Sequence, residues 1–129
     1  MPPEIIKGLK DVYFDTTKSS FIDGEVGKLL YRGYNIHDLA EKSTFEEVVY
    51  LLLYGDLPNT QQLADFDDQL RANRIIPNEV IQVLDLVKNS HPMDALRTGI
   101  SALSAFDPEV NDNSVEATIR KGIRLTAMG

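Results

Sequence analysis

Between Val48 and Tyr54 the chain carries seven consecutive apolar residues, Val-Val-Tyr-Leu-Leu-Leu-Tyr. Such a run fits either a buried strand or a helix that is apolar all round, and periodicity alone does not separate the two. The flanks do. Ser43 and Thr44 precede it as N-cap residues. Glu46 and Glu47 stand three positions after them, where a carboxylate closes a capping box and meets the positive end of the helix dipole. Gly55 supplies a left-handed terminal residue and Pro58 a stop. The pattern predicts a helix over Phe45–Tyr54 with no polar face beyond its first turn. Such a helix is buried on all sides, with Leu52 fully enclosed. At ten residues it is too short for a bilayer, which needs about twenty.

Upstream, Pro2-Pro3 disfavour helix, and residues 1–10 read as an arm. Three β-prone runs follow, Val12–Phe14, Ser19–Ile22 and Lys28–Tyr31. The last two flank Asp23-Gly24-Glu25-Val26-Gly27, loop chemistry that predicts a small hairpin within about 12–34, with Val12–Phe14 as a candidate third strand. Gly33 ends it, and Asn35 is placed to cap a short helix, Ile36–Lys42. Beyond Pro58, Thr60 is placed to cap a helix over Gln61–Arg74, with Leu63, Phe66 and Leu70 as a narrow apolar stripe. Asp65, Asp67 and Asp68 occupy its polar face. No Lys or Arg occurs between Thr44 and Leu70, and the acidic run reads as a solvated surface. It lacks the glycine and alternating spacing of a calcium loop.

Ile76-Pro77-Asn78-Glu79 opens a further helix to about Lys88, with Pro77 in its first turn, and Asn89-Ser90 breaks it. His91-Pro92 then begins a helix that runs to Phe106 and stops at Asp107-Pro108. On this helix Met93, Leu96, Ile100 and Leu103 form a face of large residues. Ala95, Gly99, Ala102 and Phe106 form an adjoining, mostly small face that admits another helix backbone, either inside the domain or between subunits. A last helix starts at Val115 behind Asp112-Asn113-Ser114 and carries Arg120, Lys121 and Arg124. Val115, Ile119, Gly122 and Thr126 give it a second close-packing stripe. It reaches Gly129 with no stop signal and reads as truncated.

Composition narrows the function more than the fold. The 129 residues and 43% hydrophobic content fit one globular unit. A net charge of −7, from 20 acidic against 13 basic residues, argues against a nucleic-acid or anionic-membrane surface. With no cysteine there is no disulfide, no thiolate catalysis and no Cys-based zinc site. No leader-like or spanning apolar segment is visible, and a cytoplasmic location is expected. Candidate chemistry is sparse. His37 sits in the short helix, where exposure is expected; His91 precedes Pro92, where it orders the turn. Two histidines could hold a metal only together with carboxylates. Gly24 and Gly27 bracket a hairpin, and no Gly-Lys-Ser/Thr follows them to make a phosphate loop. Arg32, Arg97 and Arg120 are lone arginines for which a structural role is expected, with Arg32, beside Gly33, the best anion-ligand candidate. No residue is assigned as catalytic, cofactor-binding or metal-binding.

One set of linked motifs carries a family resemblance. It comprises Gly8-Leu9 with Val12, Phe21-Ile22-Asp23-Gly24 followed by Gly27, Leu29 and Tyr31-Arg32-Gly33-Tyr34, then Leu39-Ala40. Phe45-Glu46-Glu47-Val48 through Leu53-Tyr54-Gly55, Leu57-Pro58, His91-Pro92-Met93 and Leu96-Arg97-Thr98 complete it. In that order and spacing the chain resembles the N-terminal third of citrate synthases of the compact bacterial and archaeal type, a pattern shared by 2-methylcitrate synthases. The resemblance implies a mainly α, multi-helical large-domain segment over residues 1–129, preceded by a small β-hairpin. It implies a homodimer, with the helices over residues 92–106 and 115–128 as the self-association surface, and a reaction condensing acetyl-CoA with oxaloacetate to citrate and CoA. The family's catalytic histidines and aspartate, its carboxylate-binding arginines and most of its CoA site lie further along than this chain extends. This segment is therefore expected to bind no cofactor and to be inactive alone, with the remainder of the enzyme as a possible second partner. The last helix also departs from the family pattern, reading Ala127-Met128-Gly129 where Ala-Lys-x-Pro is usual. The reading from another class is a stand-alone helical module that self-associates.

Overall fold

The short apolar runs near the start of the chain do pair. The computed structural model describes Gly8 and residues 15–129. Strands β1 (Ser20–Asp23), β2 (Lys28–Tyr31) and β3 (Tyr34–Asn35) form an antiparallel sheet in that order. In the first hairpin Ser20 pairs with Tyr31 and Asp23 with Lys28. Its loop is closed by the Asp23 carboxylate, which accepts the Glu25 amide at 3.1 Å, the local bond that makes aspartate a turn residue. The third strand is Tyr34–Asn35; the candidate at Val12–Phe14 lies outside the described residues. Tyr31 and Tyr34 pair directly, leaving Arg32 and Gly33 as a two-residue turn with φ of 48° and 92°. Two positive φ values mark the hairpin turn whose twist matches that of the strands.

Six helices follow: α1 (Ile36–Lys42), α2 (Phe45–Tyr54), α3 (Thr60–Ala72), α4 (Asn78–Leu86), α5 (Pro92–Leu103) and α6 (Val115–Met128). The caps follow the side chains. Asn35 accepts the His37 amide, and Thr44 and Glu47 close a full capping box on α2. Gly55 ends α2 in the left-handed conformation at φ 99°. At α3 the cap is Asn59 and not Thr60: Asn59 and Gln62 bond each other's amides at 2.9 Å. This reciprocal box draws Thr60 into the helix. Pro77 stands just before α4, not in its first turn. The helix over 92–106 tightens into a 3-10 turn at Ser104–Phe106, a common way for a helix to end.

The core lies between α2, α3 and α6. Phe66, Leu70 and Ile123 are its buried centre, with Val49, Tyr50, Leu53, Ile119 and Ala127 packed around them. Tyr50 meets Phe66 edge to face, with ring centroids 5.4 Å apart, an arrangement that aligns ring edge with ring face. On α3, Asp65 and Asp68 face solvent, and Asp67 pairs with Arg71 at 2.6 Å. The expectation that α2 is buried on all sides is corrected here. Leu51 is its one fully buried residue, Leu52 is half-buried, and Phe45 and Tyr54 stand 67% and 45% exposed. The reason is incomplete coverage at the ends: residues 48–53 are half-buried or buried on every face, with α3 and α6 against Val49, Tyr50 and Leu53, while both ends of the helix stay open. Among the described residues nothing encloses Phe45.

Candidate functional site

Arg32 is held by the turn in which it sits. Its amide donates to the Ser19 carbonyl at 3.0 Å, and its Nη2 donates to the Leu52 carbonyl at 3.1 Å. That carbonyl belongs to the last turn of α2, where carbonyls lack helical donors and the dipole favours a cation. The guanidinium thus ties the β2–β3 turn to the end of α2, and its Nε is buried without an acceptor. The best anion-ligand candidate is engaged as a structural clamp. Its left-handed backbone costs a non-glycine residue about 1–2 kcal/mol. Arg32→Ala keeps that strain and loses the charged bond, so it is expected to lower stability by about 1–3 kcal/mol. Arg32→Gly loses the bond and the strain together and is expected to be the more stable of the two variants. Urea midpoints read the order, and an alanine variant at or above the glycine variant would remove strain from this account.

The other polar candidates are also accounted for locally. His91 caps α5, its Nδ1 accepting the Met93 amide at 3.2 Å. His37 is exposed on α1. Arg97 pairs with Asp94 one turn away, at 3.0 Å. Among the described residues no group of three His, Asp or Glu side chains converges as a metal site would require.

The α5 and α6 surfaces divide differently from the expected pattern. Gly99 is buried against α4, and a Cβ there would stand 2.9 Å from Leu84 Cδ2. The small face of α5 therefore packs within the chain, and the large face is the open one. Met93 is 63% exposed, Leu96 42% and Ile100 40%, and of that face only Leu103 is buried. On α6, Ile119 joins the core and a Cβ at Gly122 would meet Leu53 at 3.3 Å, so that half of the stripe also faces inward. Val115 and Thr126 remain exposed.

Between the end of α5 and α6 lies an apolar cleft of about 230 Å³, lined by Ile100, Leu103, Phe106, Val110, Leu125 and Met128 among others. A charged clasp borders it. Arg124 donates to Asp107 and to Glu109, each at 2.8 Å, and Arg120 forms a further pair with Glu109. The Arg120 and Arg124 guanidiniums hold the Glu109 carboxyl down at about 2. The Glu109 amide, and then Arg124, lower the Asp107 carboxyl from its ordinary range. Sequence reasoning missed this cluster. Its signal is the acidic Asp107, Glu109 and Asp112 in the loop just before α6, which carries the basic Arg120, Lys121 and Arg124.

The family model described as citrate synthase, C-terminal domain, matches residues 8–128. The chain belongs to the citrate synthase family. It is 44% identical to the citrate synthase of Deinococcus radiodurans, over 95% of this chain and 33% of that relative. It is 41% identical to a 2-methylcitrate synthase of Mycobacterium tuberculosis, over 98% of this chain and 32% of the relative. Its fold matches the crystal structure of the Pyrobaculum aerophilum citrate synthase with a TM-score of 0.87 at 36% identity, over 96% of this chain and 33% of that one. The Thermoplasma acidophilum enzyme, solved with carboxymethyl coenzyme A and oxaloacetate, matches with a TM-score of 0.87 at 30% identity, over 96% of this chain and 33% of its own. This citrate synthase-family chain thus spans about a third of the length of the relatives it matches. The mainly α architecture with a small antiparallel sheet is that of its structural neighbours.

Proposed function

We propose that this citrate synthase-family chain is the N-terminal part of an enzyme that condenses acetyl-CoA with oxaloacetate to give citrate and CoA. On this reading the segment contributes scaffold and interface helices and no catalytic group. The observation that carries the proposal is coverage: nearly all of this chain aligns with only a third of each relative. The local engagement of His91, Arg32 and Arg97 supports it, because acid–base and electrostatic catalysis need groups free to meet a substrate. Helices α5 and α6 would associate with a second copy, or with the remainder of the enzyme, through the open face of Met93, Leu96 and Ile100. The location would be cytoplasmic, with no nucleic-acid or membrane partner, in keeping with the acidic balance; no helix among the described residues is long and apolar enough to cross a membrane.

A second reading has propionyl-CoA as the acyl donor. Identity to the M. tuberculosis 2-methylcitrate synthase, 41%, equals that to the citrate synthase of Haloferax volcanii. The purified chain is expected to release no CoA from either thioester with oxaloacetate above the rate seen with denatured protein. Turnover of acetyl-CoA or propionyl-CoA would place catalytic groups within residues 1–129 and overturn the proposal.

A further inference from the structure

Between α5 and α6 the chain runs through Ser104–Ser114, and little apolar packing holds it there. Phe106 and Val110, its two large apolar side chains, are 45% and 44% exposed. The segment is nevertheless ordered internally. The Asp107 carboxylate accepts the Glu109 amide and the Asp112 carboxylate the Ser114 amide, both at 2.9 Å. The Val110 and Asp112 amides donate to the Asp107 and Glu109 carbonyls at 3.2 and 2.9 Å. What fixes this preformed turn to the rest of the molecule is charge. Arg120 and Arg124 of α6 grip Glu109, Arg124 also grips Asp107, and Lys121 donates to the Asp112 carbonyl.

Every other ion pair among the described residues joins side chains three or four positions apart, within one helix or just past its end. These alone join separate elements. They are also the more sheltered ones, with Arg124, Asp107 and Glu109 side chains 23%, 19% and 25% exposed. Pairs half out of water that share one guanidinium act as a network and resist screening better than exposed single pairs. The segment forms one wall of the apolar cleft, and Leu125 and Met128 of α6 form another.

We propose that residues 104–114 form an electrostatically latched strap, closed over the apolar cleft by the Arg120–Glu109–Arg124–Asp107 clasp and able to open without unfolding the α2–α3–α6 core. Opening the clasp frees the strap and widens the cleft between α5 and α6. It leaves Phe66, Leu70 and Ile123, which the strap does not touch, in place. This device is intramolecular and does not depend on the catalytic or associative reading above.

Hydrogen exchange of the 129-residue chain at neutral pH, read by mass spectrometry, tests it. Glu109→Gln removes the shared carboxylate from the strap side and leaves α6 unaltered. The paired change Arg120→Gln with Arg124→Gln removes the donors, and Arg97→Gln, which breaks a single-helix pair, is the control. Strap amides, those of Glu109, Val110, Asp112 and Ser114, are expected to exchange roughly tenfold faster or more in Glu109→Gln, the loss expected for charge-assisted bonds. Amides of α2 and α3 should keep their wild-type rates, and Arg97→Gln should change neither set. High salt should move wild type in the same direction, by a smaller factor. If the arginine pair proves too disruptive to fold, Glu109→Gln alone decides. Unchanged strap exchange in Glu109→Gln overturns the proposal. So does an equal acceleration of strap and core, which would mean a structural tie with no local opening. Strap protection that fades on dilution would assign it to a second copy and overturn it as well.

Discussion

Leu51→Ala is expected to destabilise the chain by about 2–5 kcal/mol, the range for emptying a leucine-sized site in a packed interior. Leu51 is fully buried, and its removal leaves a void that a ten-residue helix held between a capping box and a left-handed glycine cannot easily collapse. Leu52→Ala, one position along and half-buried, is expected to cost less. Phe45→Ala, at the exposed start of the same helix, should change stability by about 0.5 kcal/mol or less. Equilibrium urea denaturation of the three variants reads the order from their midpoints and slopes. Equal midpoints for Leu51→Ala and Phe45→Ala would contradict the buried middle and exposed start of α2.

Gly99→Leu should be comparably damaging, for the opposite reason. Its first added carbon already stands 2.9 Å from Leu84 Cδ2, below any ordinary contact, and three further carbons must find room between α4 and α5. Overpacking of this kind typically costs about 1–3 kcal/mol, and more where the backbone must move. The loss should appear as reduced folding stability. A normal midpoint would return Gly99 to an open surface and refute the α4–α5 packing. Met93→Glu probes the other face of α5. Its side chain is 63% exposed in the first turn of the helix, where a carboxylate is favoured by the dipole. Folding should move by about 0.5 kcal/mol or less, while light scattering at several concentrations should show weaker association if that face meets a partner. Unaltered association would remove Met93 from the contact.

Most elements could be read from the chain because their signals are local. The bounds of α1, α2 and α6 follow from residues that bond to amides two or three positions away: Asn35, Thr44 with Glu47, and Ser114. The stripe of Leu63, Phe66 and Leu70 on α3 points inward as its spacing requires, with Phe66 and Leu70 buried and Leu63 half-buried. The family, too, is legible in linked motifs, since each marks a turn, a cap or a packing position. Less of the candidate site was legible. A glycine at helix spacing announces a close approach without naming its partner, so Gly99 reads equally as a subunit contact or as the seat of Leu84. A lone arginine announces a charge without its counter-group, and Arg32 finds a backbone carbonyl twenty residues away.

The sequence by itself determined most helix starts and the mainly α class, because caps and periodicity act within a few residues. Only the tertiary structure decided how far α2 is covered, that the small face of α5 turns inward while its large face stays open, and that Glu109 meets Arg120 and Arg124. Those outcomes depend on which surfaces the chain brings together across long separations. An apolar or charged side chain carries the same local pattern whichever neighbour it meets, and burial and pairing energies are set by that neighbour.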